Sequence, residues 1–420
     1  MNTNIVEEQT ADVIVIGGGP AGAATAFWLA MRGVSVIVLE KKQFPRDKTC
    51  GDGLTPRAVV ELEAMGLQQM LDTQHKYNGL RAVAFGRSYE LPWPSLSNYP
   101  NYGYVVRRSV LDQAVLERAA AVGATVLYHH EAVEATLASG QIQSLNVRNT
   151  ATEETLRMTA RIYVLAEGSN ARIARSLGAH RNVAKPLGLA IRGYFETDRS
   201  RENWIESHLD LRDESGATIP GYGWIFPVGD GTANVGFGLL SNSARWRKTN
   251  TTNALARFVS QTQGAWHFPE NRGVREATGG KLQMGLSVEP RSGPNFLMVG
   301  DAVASINPFN GEGISYGYET GRMAANAITQ SLGTGDLQPV AGFTTALEKR
   351  YAGYYTAGTL FVMAISNPLL MSSGVWLAMR SKATMTPVVA IMANLMSGST
   401  PERIEQIYRL TQRLQERQTG

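Results

Sequence analysis

Hydrophobic positions divide the chain into three kinds of pattern. At the start, a short β-branched run at residues 13–16 leads straight into glycines, and an alanine-rich, helix-favouring stretch at 21–31 follows. Gly33 sits where a helix C-cap belongs, and a second apolar run covers 34–39. Strand, turn, helix and strand in that order make the start of a βαβ unit. After an irregular segment, residues 57–65 read as a helix closed by Gly66, 110–121 as a helix, and 124–128 and 162–166 as strands. Residues 187–285 alternate in the manner of strands and are rich in glycine and aromatics. Residues 296–299 form a buried strand, a helix begins near Gly313, and 336–420 are mostly helical. The pattern predicts an α/β chain. A Rossmann-type nucleotide domain (1–75, 105–186 and 286–335) interleaves with a β-sheet substrate domain (76–104 and 187–285), followed by a C-terminal helical region (336–420).

Composition narrows the function classes. Of 420 residues, 43% are hydrophobic and 18% charged, as a globular chain with a sizeable core requires. A net charge of +4 without a dense basic block gives no footprint for nucleic acid, though such a surface can meet an anionic membrane. Cys50 is the one cysteine, so no intrachain disulfide forms, and the polar, acidic N-terminus does not read as a signal peptide. The expected place is the cytoplasm, peripherally at the inner face of the membrane. The most apolar stretch, 360–379, is broken by Ser366-Asn367-Pro368 and Ser372-Ser373-Gly374 and does not read as a spanning helix. The longer interrupted apolar segment, 360–396, suits either an interfacial patch or a packed helical cap. The histidines show no metal-ligand spacing.

Two motifs carry chemistry. Gly17-Gly18-Gly19-Pro20-Ala21-Gly22 fits G-x-G-x-x-G between a strand and a helix. The first glycine permits the turn, the second lets backbone approach a pyrophosphate, and the third lets helix pack on strand. The pyrophosphate would sit on the helix N-terminus. Glu40 ends the second strand, where a carboxylate would bind ribose hydroxyls. The second motif is Gly300-Asp301 after the strand at 296–299, with Asn310-Gly311-Glu312-Gly313-Ile314 beyond it. Asp301 can accept from ribityl or ribose hydroxyls, or it can be a plain N-cap. Gly313 and Ile314 open a helix whose N–H groups can face a flavin oxygen.

Together these motifs resemble the FAD-binding superfamily that contains aromatic hydroxylases and geranylgeranyl reductases. The resemblance implies FAD as cofactor. It also implies cofactor roles for Arg108, at the start of Arg108-Ser109-Val110-Leu111-Asp112, and for Ala132 beside the adenosine half; the superfamily's Asp-Gly reads Glu167-Gly168 here. Within the superfamily, Phe44-Pro45-Arg46-Asp47-Lys48-Thr49-Cys50-Gly51-Asp52-Gly53-Leu54-Thr55-Pro56-Arg57 and residues 307–317 are similar to geranylgeranyl reductases, especially actinobacterial menaquinone reductases. That similarity implies that Arg46, Cys50, Gly51 and Gly53 approach the cofactor. Tyr222-Gly223-Trp224-Ile225-Phe226-Pro227 matches the aromatic motif lining their isoprenoid pocket. The resemblance covers roughly residues 10–330.

The expected reaction is hydride transfer from reduced flavin to a double bond of an isoprenoid lipid or prenyl quinone. An isolated alkene is a poor hydride acceptor, so the site must also supply a proton and a dry pocket. Tyr222, Trp224 and Phe226 alternate along a strand and so share one face, an aromatic wall for an apolar chain or an ordinary core stripe. Tyr222, Trp224 and Cys50 are the candidate catalytic residues; Cys50 either protonates or steers substrate, or merely packs. No second glycine fingerprint identifies an electron donor. A monooxygenase or halogenase on the same fold is the first alternative, although the halogenase lysine motif is absent and Phe226 and Tyr222 depart from its aromatic signature. A non-enzymatic flavin or lipid carrier is the second.

Overall fold

The computed structural model describes residues 8–185, 187–241, 246, 249–269 and 276–396, so the predicted helical character of 397–420 lies outside the described residues. Five parallel strands form the nucleotide-domain sheet in the order Thr125–Tyr128, Val36–Glu40, Glu8–Ile16, Thr155–Leu165, Phe296–Met298. Val13, Ile14 and Val15 are fully buried, as are Val38 and Val164. Near-continuous apolar runs of this kind belong to a sheet covered on both faces. The strand Thr155–Leu165 is longer than its apolar pattern predicts. Its first half pairs antiparallel with Gln141–Asn149, which continues to His130–Ala138, and the half-exposed side chains there hide it from a search for apolar runs.

The helix Pro20–Ala30 begins with proline at its first turn and packs against the long helix Ile314–Thr334 through small residues. A Cβ on Gly321 would stand 2.7 Å from the Ala21 carbonyl oxygen, and one on Gly317 would stand 3.6 Å from Ala21. Close backbone approach thus sets two helix N-termini side by side, at the carboxyl ends of the parallel strands. In open α/β sheets this is where ligands bind.

A second seven-stranded sheet draws Gly79–Ala84 and Arg87–Pro92 from the first predicted substrate segment. From the second it draws Trp204–His208, Gly221–Pro227, Thr232–Leu240, Leu187–Glu196 and Thr278–Gln283. One face, with Ile191, Phe195, Ile225, Val235 and Phe237, is closed by the helix Thr251–Trp266. The other faces the nucleotide domain.

The C-terminal helices Phe343–Ile365, Pro368–Ala378 and Lys382–Met392 are seated by a buried ionic cluster. Arg57 pairs with Glu319 and donates to Tyr99 Oη at 2.9 Å and to the Asn394 carbonyl at 3.0 Å, while Tyr351 donates to Glu319 at 2.8 Å. Among the described residues no single helix is long and apolar enough to cross a membrane. The helical pair Gln338–Ile365 and Pro368–Ala378 has the length and composition only when taken together, and it is bent by 110°.

Candidate active site

The glycine loop is built as a cradle. Gly17 holds φ at +108°, and a Cβ there would strike the Ala166 carbonyl oxygen at 2.4 Å; a Cβ on Gly22 would strike the Gly17 carbonyl oxygen at 1.9 Å. These two glycines are required by the protein's own packing. Gly19 is different: a Cβ there would meet nothing nearer than the Arg46 Nη2 at 3.7 Å, so the space above it belongs to a ligand.

Glu40 is buried and receives the Gly18 N–H at 3.0 Å and the Lys42 N–H at 2.9 Å. Arg46 Nη1 lies 3.1 Å from Asp112, which also takes a bidentate pair of bonds from Arg108 at 2.7 Å each. Asp112 therefore holds both arginines, and Arg46 Nη2 is left facing Gly19. Ala132 is buried on His130–Ala138, next to Glu131, whose Oε1 lies 3.9 Å from Lys41 Nζ.

Across the cradle, Asp301 sits in the short helix Gly300–Val303. Its Oδ1 would be 3.3 Å from a Cβ on Gly313, the residue before Ile314 opens the long helix. Among the described residues no group donates to the Asp301 carboxylate, so the alternative reading as an N-cap does not hold here. Glu167, standing where the superfamily has aspartate, accepts the backbone N–H groups of Arg172, Ile173 and Ala174 at 2.8, 2.9 and 3.1 Å. Its longer arm caps the helix Arg172–Ser176. Open glycine, a cation held by Asp112 with Nη2 toward Gly19, unbonded carboxylate and two helix N-termini together fit a dinucleotide pyrophosphate and its ribityl hydroxyls.

The substrate sheet meets this cradle with a graded face. Tyr222, Gly238, Ala190 and Gly280 lie in register across four strands, and Trp224, Gly236, Arg192 and Thr278 lie in the next row. The first row gives one large side chain and then three small ones, a trough. Leu282 bends over Gly188 to form one wall, and Tyr222, which donates to the Asn310 carbonyl, forms the other. The aromatic row is continuous, with ring centroids 6.1 Å apart for Tyr222 and Trp224 and 6.3 Å for Trp224 and Phe226.

The rings have separate tasks. Phe226 lies against Gly51 and Gly53, where a Cβ would come within 3.1 and 3.0 Å of Cε2. Trp224 is only 6% exposed, because Gly236 lets its ring lie flat on the sheet. It therefore fixes the Cys50–Gly53 loop more than it faces a ligand; Tyr222, half-buried at the mouth of the trough, has the open position.

Beneath the Cys50 loop lies a buried polar network that the sequence does not announce. Asn234, fully buried, accepts from Trp224 Nε1 at 3.0 Å and donates to the Cys50 carbonyl at 2.8 Å and to Asp52 Oδ2 at 2.9 Å. Tyr194 also donates to Asp52 Oδ2, while Oδ1 has no partner. Arg192 pairs with Asp47 at 2.7 Å and lies over the Tyr194 ring. Burial pushes the Asp52 carboxyl up to about 6, against the pull of Tyr194, Asn234, Arg192 and Arg108. Desolvation also raises the Cys50 thiol, opposed by Arg108. A raised thiol keeps its proton, so Cys50 is not a thiolate nucleophile at neutral pH.

Comparison with known proteins decides the family. The FAD binding domain family matches residues 10–335. Menaquinone reductase of Mycolicibacterium smegmatis is 36% identical over 400 residues, covering 95% of each chain. The chain belongs to this family of FAD-dependent oxidoreductases. Digeranylgeranylglycerophospholipid reductase of Methanosarcina acetivorans is 28% identical over 335 residues, covering 78% of this chain and 77% of that one. Among solved structures, a geranylgeranyl bacteriochlorophyll reductase-like protein of Thermoplasma acidophilum superposes at a TM-score of 0.73 with 20% identity, over 96% of each chain. A flavin-dependent brominase reaches 0.71 at 17% identity, which shows a shared fold. The cofactor of this flavoprotein is FAD, and the cradle around Gly17, Gly19, Gly22, Arg46 and Asp301 is where the residues fit it.

Proposed function

We propose that the chain is an FAD-dependent reductase that saturates a carbon–carbon double bond in the isoprenoid tail of a prenyl quinone or a related lipid. The observation that carries this reading is the trough of Gly238, Ala190 and Gly280 between Tyr222 and Leu282. It is floored by small residues, and it lies against the loops at 49–53 and 310–313 that close on the cofactor cradle: Thr49 Cβ is 4.0 Å from a Cβ on Gly280, and Leu282 is 3.6 Å from one on Gly311. A floor of small residues between a tyrosine and a leucine suits an apolar, methyl-branched chain. The relatives' names, menaquinone and digeranylgeranylglycerophospholipid reductase, support the same substrate class.

Bound FAD would supply the hydride. The protein's own residues supply the rest. Gly19, Arg46 and the N-termini of the helices Pro20–Ala30 and Ile314–Thr334 would hold the phosphates, and Asp301 would hold the hydroxylated linker. The aromatic row keeps the Cys50 loop in place and water out. Cys50, whose thiol burial keeps protonated at neutral pH, and Asp52, whose carboxyl burial raises to about 6, are the candidate proton sources for the second alkene carbon. The electron donor is a separate, unidentified partner. We place the enzyme in the cytoplasm at the inner face of the membrane, where its substrate would be.

Mass spectrometry of quinones and prenyl lipids from cells with and without the gene tests this reading. Loss of the gene should leave one lipid class with an additional double bond per molecule. Identical lipid profiles would overturn the proposal.

A further inference from the structure

The helices Phe343–Ile365 and Pro368–Ala378 meet in an elbow bent by 110°. Its outer side carries Leu360, Met363, Leu369, Leu370, Trp376 and Leu377, each at least half exposed and Leu369 at 78%. Elsewhere the exposed large hydrophobics Met31, Val110, Leu137 and Val183 are scattered through the chain. Contiguous exposed apolar surface on a folded chain marks a contact site.

Charge indicates the partner. Between Glu348 and Glu402 the chain has no acidic residue, and the only cations beyond the elbow's second helix and before Glu402 are Arg380 and Lys382. Both are exposed, and the Arg380 guanidinium lies 5.0 Å from the Trp376 ring centroid. The neighbouring turn, joined through Thr218 and Ser372 at 2.8 Å, brings Asp213 and Glu214 nearby. Asp213 is engaged within its own turn by Ser215 and Ala217, and Glu214 pairs with Arg257 at 3.8 Å. An apolar tip edged by an amphipathic tryptophan and cations suits the headgroup region of an anionic bilayer. A second copy suits it less, since isologous pairing would bring the two cationic rims of Arg380 and Lys382 together.

The inner side of the same elbow leads to the trough. Val362 is buried with Leu240, Met284 and Ile306, and Phe361, Ile365 and Leu282 pack against them. Leu282 is the trough wall. The exposed residues Leu360 and Met363 are therefore separated from the trough by about one helix diameter, roughly 10 Å.

We propose that this elbow is a monotopic docking surface for anionic phospholipid, placed so that an isoprenoid chain can pass from the bilayer to the trough. The docking rests on the surface alone; the delivery rests on the reductase reading.

The test is sedimentation of the full-length, FAD-loaded protein with vesicles of phosphatidylcholine, with and without phosphatidylglycerol. Binding should require phosphatidylglycerol and weaken with salt. The double substitution Leu369→Glu/Leu370→Glu should abolish it with flavin content unchanged. Arg380→Glu/Lys382→Glu should weaken it more than tenfold, at about fivefold per neutralised cation, and this second variant decides the matter if the first fails to hold FAD. Absence of vesicle binding, equal binding of wild type and both variants, or binding that appears only after removal of residues 397–420 would overturn the docking surface. So would a dimer that Leu369→Glu dissociates. Vesicle binding without turnover of any prenyl substrate would keep the docking and remove the reductase reading; turnover of a short-chain prenyl quinone without vesicle binding would do the reverse.

Discussion

The Trp224 indole donates to Asn234 Oδ1 at 3.0 Å, and through the same amide the aromatic strand is fastened to the Cys50 carbonyl and the Asp52 carboxylate. Asn234 thus sets the loop that resembles the reductases' cysteine loop against the wall that resembles their substrate wall. It adds hydrogen bonds to the packing of Phe226 on Gly51 and Gly53.

Replacing Asn234 with leucine should reveal this. The shape is kept, but three buried groups lose a partner, at about 1–3 kcal/mol each. Denaturant unfolding should show a loss of at least about 3 kcal/mol, and turnover should fall. A variant with unchanged stability would mean that water replaces the amide.

The glycines should separate by role. Gly19→Val should fold and lose FAD, because the space above Gly19 is empty of protein except for Arg46. Gly22→Ala should damage the fold itself, because its Cβ would meet the Gly17 carbonyl oxygen at 1.9 Å. Flavin absorbance per mole and circular dichroism, measured on both, distinguish the two outcomes.

Arg46→Gln should weaken FAD without unfolding the protein. Asp112 keeps its bidentate partner Arg108, so no buried carboxylate is left without one. Removing one charge-assisted bond, about 1.5–3 kcal/mol, corresponds to roughly a ten- to hundredfold rise in the FAD dissociation constant, readable by flavin fluorescence.

Asp52 makes stability depend on pH. Its folded-state value, about 6, lies above the ordinary 3.8, so the folded state favours the protonated form. Its contribution is fully present below about pH 4 and is lost as pH rises through about 6, a total of about 3 kcal/mol. Asp52→Asn is neutral throughout. The Tm of the variant minus that of wild type should therefore rise between these pH values and level off above them. Glu61, pushed up to about 7 by burial, titrates alike in both proteins and cancels. A pH-independent difference would contradict the buried, protonated carboxyl.

What could be read from the chain alone is local. The glycine fingerprint, Glu40 and Asp301 are legible because each chemistry needs a fixed residue type at the end of an apolar strand. Tyr222, Trp224 and Phe226 are legible because two-residue spacing fixes their face. Asn234, Tyr194 and Arg192 are not, since each is one polar residue in a strand and becomes functional only through register with Trp224 or contact with Asp52. The trough is hidden for the same reason: Gly238, Ala190 and Gly280 come from three strands, and only pairing aligns them. Trp224 is a partial correction, on the expected face but nearly enclosed. The helix predicted from residue 110 begins at Arg108, whose ion pair with Asp112 one turn on supports a start too polar for an apolar search.

The central claim is reduction of an isoprenoid alkene, as against oxygen transfer on the same fold. It is tested most directly by giving chemically reduced enzyme, under anaerobic conditions, an unsaturated prenyl quinone and following flavin absorbance and product mass. The account predicts return of oxidised flavin and a product heavier by two hydrogen atoms, with turnover lowered in Trp224→Ala at full FAD content. A product heavier by one oxygen atom, formed only when air is admitted, would contradict it.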